Sequence, residues 1–187
     1  MKFYVPILLC GLLVGCEPEH SYPRTPQGRL DEATKKLAAA SREEERFYAL
    51  DDAAKQSFEV GKTEDARKYA MDLLSLAQKF QQNWNYGNAV QDGNLVLGRI
   101  ALKEGRTEEA KKYLLEAGKS PGSPQMDSFG PNMSLARDLL EKGQREEVLQ
   151  YFELCRKFWK MGQDELDQWT KDVKAGKTPD FGANLIY

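Results

Sequence analysis

Three ten-residue segments of this chain are near-copies of one another. They read Gly61-Lys-Thr-Glu-Asp-Ala66-Arg-Lys-Tyr69-Ala70, Gly105-Arg-Thr-Glu-Glu-Ala110-Lys-Lys-Tyr113-Leu114 and Gly143-Gln-Arg-Glu-Glu-Val148-Leu-Gln-Tyr151-Phe152. Self-similarity of this kind makes each copy one supersecondary unit that buries its apolar face only by stacking on its neighbours. In each copy the Gly closes one helix, and Thr or a neighbouring polar residue is placed to cap the next. The acidic pair falls in the first turn of that helix, where the dipole favours it. The unit is therefore a helix-turn-helix hairpin, and scarce period-2 alternation makes the fold all-α.

The helix before each Gly carries one apolar or small face, at three, four, seven and eight positions upstream. It comprises Phe58, Ser57, Ala54 and Ala53; then Leu102, Ala101, Gly98 and Leu97; then Leu140, Leu139, Ala136 and Leu135. Small residues recur seven before the Gly, so two helices can approach closely there. The following helices bury Ala66, Tyr69, Ala70, Leu73 and Ala77; Ala110, Tyr113, Leu114 and Ala117; and Val148, Tyr151, Phe152, Cys155 and Trp159. Cys155 thus reads as a core thiol.

These features resemble the tetratricopeptide repeat, whose pattern has a small residue in its first helix, a Gly at the turn and an Ala opening the second. The resemblance covers residues 46–160 and implies antiparallel helical hairpins stacked as a short superhelix. It departs from the family pattern in lacking the early aromatic and the closing proline. The spacings from Ala66 to Ala110 and from Ala110 to Val148, 44 and 38, also differ from the usual 34. The expected repeats are about 46–80, 89–118 and 131–160, within a helical domain over 30–175. The extra residues lie in 81–88 and 119–132. Residues 30–60 read as one long helix or two, and Leu166, Trp169 and Val173 give a C-terminal capping helix its buried face. Gly176 and Pro179 stop that helix, and the apolar tail, 176–187, is expected to pack against the array. The stretch from about Gly93 to Met161 is also similar to an uncharacterised bacterial group, some of whose members carry extracytoplasmic sigma-factor names. No DNA-binding motif is present, and export argues against that role.

The N-terminus supplies an address. Lys2 precedes an apolar run from Phe3 to Val14, which matches a signal-peptide core and is too short for a spanning helix. Leu13-Val14-Gly15-Cys16 resembles the lipobox of bacterial lipoproteins. The resemblance implies a signal peptide over 1–15 and a diacylglycerol thioether on Cys16. Cys16 would become the mature N-terminus, and in many bacteria it would also be N-acylated. Two or three chains, at about 0.8 kcal/mol per buried methylene, anchor a protein durably. Glu17 is not the Asp that typically retains such proteins in the inner membrane, so the outer membrane is mildly favoured where the host has both. Residues 16–29 hold three prolines and little that is apolar, and they read as a flexible tether.

Composition excludes several functions. The sole histidine, His20, lies in the tether, which removes most His-based metal sites and Ser-His or Cys-His catalysis. The net charge of −2 disfavours nucleic acid as a partner. No phosphate loop, metal-binding set or nucleophile motif is present. The expectation is a non-enzyme without cofactor or metal, because an enzyme would need two carboxylates of raised pKa converging in a pocket.

Two surfaces stand out for binding. Lys55, Arg99 and Arg137 recur six positions before each repeat Gly. With Asp92 they are expected to line a concave groove and to grip an acidic or carboxylate-ended peptide, the chain's own Tyr187 carboxylate being one candidate. Solvated charges facing Glu59 and Glu141 are the plainer explanation. The second surface is Asn83-Trp84-Asn85-Tyr86-Gly87-Asn88 with Asp92 and Asn94, where amides beside aromatics suit a sugar. Such residues also make ordinary caps and turns. Residues 123–132, with Phe129, form a third candidate loop. The expected function is a membrane-anchored adaptor that holds a protein or peptide partner in the cell envelope. The alternative is a glycan- or small-molecule-binding lipoprotein using 83–94.

Overall fold

The computed structural model describes residues 25–185. Among them the chain forms α1 (Pro26–Ala39), α2 (Glu43–Glu59), α3 (Thr63–Ala77), α4 (Tyr86–Lys103), α5 (Thr107–Gly118), α6 (Pro124–Phe129), α7 (Ser134–Glu141), α8 (Arg145–Cys155) and α9 (Gln163–Lys174), with no strand. A short 3₁₀ turn, Gly182–Leu185, follows. Cys16, the signal segment, most of the tether and Tyr187 lie outside the described residues.

The repeat glycines make the hairpins. Gly61, Gly105 and Gly143 take φ of 80°, 79° and 77°, the left-handed region that only glycine enters without strain. The residue after each closes the helix by a backbone bond to a carbonyl five residues back: Lys62 N to Ser57 O, Arg106 N to Ala101 O and Gln144 N to Leu139 O. Lys177 N to Asp172 O, with Gly176 at φ 80°, repeats the arrangement at the end of α9. The next helices start without side-chain caps, because Lys62, Arg106 and Gln144 occupy the cap positions. The acidic pairs do sit in the first turns, as the dipole favours. Thr63 and Thr107 are already inside their helices, so the Thr cap expected there is not made.

The tether boundary also moves. Pro26–Arg29 form the first turn of α1, since Thr25 Oγ1 accepts from Gly28 N, Pro26 suits the first helical turn, and Leu30 is buried against the array. Residues 30–60 divide into two helices, α1 and α2.

The apolar stripes meet as the periodicity requires. Ala66, Ala70, Leu73 and Ala77 on α3, Ala110, Leu114 and Ala117 on α5, and Val148, Tyr151, Phe152 and Cys155 on α8 are all buried. Each large apolar side chain so buried contributes about 1.5–3 kcal/mol. Gly98 lets α4 approach its neighbours: a methyl group there would collide with Leu135 and press on Tyr113. Burial pushes the Cys155 thiol far above its ordinary pKa, the mark of an unreactive core sulfur.

Successive helices pack on one another from α1 to α5, and α8 packs on α5 and α9. In α9, Leu166, Trp169 and Val173 are buried, as a capping helix requires. The tail packs too: Phe181 stands edge-on to Trp169 at 5.0 Å, and Trp169 Nε1 donates to Asp180 O at 3.2 Å. The insert 119–132 is not an open loop. Ser123 Oγ accepts from Met126 N to start α6, and Gly130, at φ 84°, ends it.

Candidate functional site

One cleft of about 580 Å³ gathers residues from four stretches of sequence. From α2 come Tyr48, Asp51, Asp52 and Lys55; from the entry to α4 and its first turns come Trp84, Asn85, Asn88, Gln91 and Asp92. Spacings of three and four place each set on one helical face. The insert adds Gln125, Phe129 and Asn132, and the tail closes the wall with Ala183 and Asn184. The volume falls within the range of ordinary ligand sites.

The insert is bound to α4 at close quarters. Ser120 Oγ donates to Gly87 O at 2.7 Å, and Ser123 Oγ donates to Asn88 Oδ1 at 2.6 Å. Any side chain on Gly87 would run into the backbone of Gly122. Behind the cleft, Gln91 Oε1 accepts from Asn132 N at 3.1 Å, Gln91 Nε2 donates to the Tyr151 hydroxyl at 3.2 Å, and that hydroxyl donates to Asn132 O at 2.9 Å. Of the three repeat tyrosines, Tyr151 is thus the one fully buried and tied to the wall of the cleft. The tail is fastened by Met133 N to Asn184 O at 2.7 Å, and by Asn184 Nδ2, which donates to Phe129 O and Pro131 O at 3.0 Å each.

The floor is a charge cluster. Lys55 Nζ lies 3.1 Å from Asp51 Oδ2, 3.1 Å from Asp92 Oδ2 and 3.9 Å from Asp52 Oδ1, and its side chain is 12% exposed. Burial pulls the Lys55 pKa down, but the three carboxylates outweigh it and hold the ammonium well above its ordinary value. Burial raises Asp51 to about 6 against the pull of Lys55, with Asp92 adding to the rise. Burial likewise raises Asp52. Asp51 Oδ1 is sealed from solvent and accepts no hydrogen bond. Two carboxylates of raised pKa therefore converge in one cleft, the arrangement that the sequence alone did not show and that acid–base chemistry would need, but Lys55 beside them favours their charged forms and Asp51 Oδ1 is closed to solvent.

The cation ladder does not form one surface. Lys55 and Asp92 line the cleft, whereas Arg99 and Arg137 do not. Arg99 lies 3.0 Å from Glu59 Oε1 and 3.0 Å from Asp138 Oδ2, with its guanidinium 4.5 Å over the Phe58 ring. Arg137 lies 3.3 Å from Asp138 Oδ1 and 3.9 Å from Glu141 Oε1. Arg99 thus joins α2 to α4 and α4 to α7. An acidic or carboxylate-ended peptide entering the cleft would meet three carboxylates and one ammonium already held by them. That expectation is corrected by the charge of the floor.

The amide patch divides. Trp84, Asn85 and Asn88 line the cleft, while Asn83 and Tyr86 serve the scaffold. Asn83 Nδ2 donates to the Tyr48 hydroxyl at 2.7 Å and to Glu44 Oε1 at 3.1 Å, and Tyr86 packs on the α1–α3 core. Asn94 Nδ2 turns back to Val90 O at 2.7 Å. Trp84 is 53% exposed and lies over Tyr48, with centroids 6.0 Å apart at 24°. Phe129 is 79% exposed at the rim. Sequence reasoning missed Tyr48, Asp51, Asp52 and Gln91. Tyr48, Asp51 and Asp52 share with Lys55 a polar stripe at helical spacing on α2, away from its small residues, whereas Gln91, seven residues before Gly98, lies on the buried face of α4 and gives no such signal.

Among the described residues no group of three or more His, Cys, Asp or Glu is placed to hold a metal ion, and no helix is long and apolar enough to cross a membrane. Fold and cleft together define an all-α array of helical hairpins with a polar cleft beside the first helices α2 and α4. Comparison of the chain with protein-family models, with curated proteins and with solved structures finds no match.

Proposed function

We propose that this chain is a lipid-anchored adaptor of the bacterial cell envelope, held at the membrane through Cys16 and capturing a segment of a partner protein in the α2–α4 cleft. The observation that carries the capture role is the convergence of α2, α4, the insert and the tail on one polar cleft rimmed by exposed aromatics. Most polar groups in an ordinary helical array face bulk water. Here a helical insert and a packed C-terminal segment are spent on walling a group of them in. The anchor rests on the lipobox resemblance at 13–16, and the divergent tetratricopeptide-like pattern is consistent with partner capture along first helices. No cofactor, metal or nucleic acid enters this reading.

A second reading, glycan or small-molecule binding, is favoured by one observation: Trp84 presents a half-exposed ring beside Asn85 and Asn88, a surface on which a sugar ring could stack. The two readings separate on purification of the lipidated protein from its own membranes, followed by identification of what co-elutes with the natural chain and is lost with Trp84→Ala. A polypeptide supports the adaptor, a glycan supports the alternative, and an unchanged eluate from the variant contradicts both. Membrane retention of Cys16→Ala would remove the anchor.

A further inference from the structure

The charge of the cleft says what kind of group it can hold. Its lining carries three carboxylates, Asp51, Asp52 and Asp92, and one ammonium, Lys55. Two of those carboxylates, Asp51 and Asp92, are largely enclosed, with side chains 14% and 15% exposed. Lys55 stands within 4 Å of all three and still leaves an excess of two negative charges when all are ionised. Asp51 Oδ1 is sealed from solvent and Asp51 Oδ2 is held by Lys55, so the carboxylates that remain for an incoming group are Asp52, half-exposed, and Asp92. Beside this floor stand two aromatic rings, Trp84 and Tyr48, which offer the faces that attract cations. Asn85 Nδ2 and Gln125 Nε2 donate to no group among the described residues, which leaves them for a ligand's carbonyl oxygens.

We propose that the cleft is a cation-recognition site that takes the ammonium or guanidinium group of a lysine or arginine side chain on an extended peptide of the partner. This rests on the cleft being the surface of partner capture. The incoming cation is shared between the floor carboxylates and the Trp84–Tyr48 rings, while the amides of Asn85 and Gln125 hold the peptide carbonyls. Its charge offsets the excess that Lys55 leaves. A neutral or acidic segment gains nothing from the floor and forfeits its own hydration. A peptide is favoured over a lone amine because the donors at Asn85 and Gln125 have no use for a ligand that carries only a cation.

The test uses the full-length lipidated chain in detergent micelles, titrated with blocked five-residue glycine peptides whose central residue is lysine, arginine, norleucine or glutamate. Spermidine and glucosamine are run beside them, with calorimetry as the readout. The lysine and arginine peptides are expected to bind at least tenfold tighter than the norleucine peptide, and added salt should shrink that margin. Asp52→Asn, at a half-exposed position, should weaken the cationic peptides severalfold and leave the circular dichroism spectrum unchanged. Asp92→Asn tests the floor directly if it folds, and Asp52→Asn carries the test if it does not. Equal binding of the norleucine or glutamate peptide overturns cation recognition and leaves the cleft as a capture site. Spermidine or glucosamine binding as tightly as the peptides overturns the peptide source. Heat from none of these probes overturns both the inference and the reading it rests on.

Discussion

Lys55 and Arg99 stand at the same place in successive repeats, six residues before the turn glycine, yet they lie in different surroundings. Arg99 is closed in by Glu59, Asp138 and the Phe58 ring, and it links three first helices into one array. Lys55 lies at the floor of an open cleft among Asp51, Asp52 and Asp92. The repeat sets where a side chain stands on its helix, but it does not set what stands opposite. That is decided by what interrupts the repeat. The insert carrying α6 and the tail around Asn184 wall the cleft beside Lys55, whereas Asp138, one first helix further on, closes over Arg99.

The largest expected effect separates the two cations. Lys55→Ala leaves two enclosed carboxylates without their partner and should cost about 3–5 kcal/mol in urea unfolding. Arg99→Ala strands Glu59 and Asp138, which keep more water than Asp51 and Asp92 with side chains 37% and 22% exposed, and should cost less, about 1–3 kcal/mol. Equal losses would erase the distinction between floor and linker. Next comes the wall. Gly87→Ala forces the Gly122 backbone away from α4 and should cost about 1–3 kcal/mol, with faster amide exchange through 120–132.

A smaller effect follows from Asp51, which faces Lys55 and Asp52 on its own helix and Asp92 on α4. Its folded-state pKa is raised to about 6, so its contribution to stability is complete below its unfolded value and is lost as pH rises through about 6. The natural chain should therefore lose stability over that window, and Asp51→Asn should flatten the profile of Tm against pH. The smallest effect on stability is that of Trp84→Ala, about 0.5–1.5 kcal/mol for the lost stack on Tyr48, against an expected complete loss of ligand capture.

The hairpins were legible in the sequence because the turn admits a single residue type, glycine, which alone takes the left-handed φ of Gly61, Gly105 and Gly143 without strain. The buried stripes were legible for a similar reason, since a 3.6-residue period has a single consequence on a helix. The caps were misjudged because Thr63 and Thr107 fall one residue inside their helices. The start of α1 was missed because three prolines suggested a tether, although a proline at the first turn of a capped helix costs nothing. The site was half legible. Lys55, Asp92, Trp84, Asn85 and Asn88 were found as members of two separate surfaces. Their union depends on α2 and α4 lying side by side, and on Asn132 and Asn184 arriving from far along the chain, contacts that no local pattern encodes. Asp51 and Asp52 gain their place in the site only from packing, which encloses Asp51 and brings both within reach of Lys55.

The central claim is that the cleft, and not the remaining surface of the array, is where the partner sits. Its most direct test places a photoreactive side chain at Phe129 or Ala183 in the cleft wall, and at Met71 on α3 as an exposed position outside the cleft, in the full chain within intact cells. One defined polypeptide adduct from positions 129 and 183, absent from position 71 and reduced severalfold when Asp52→Asn is added, is the predicted result. Adducts of equal yield from all three positions, or from position 71 alone, would contradict it.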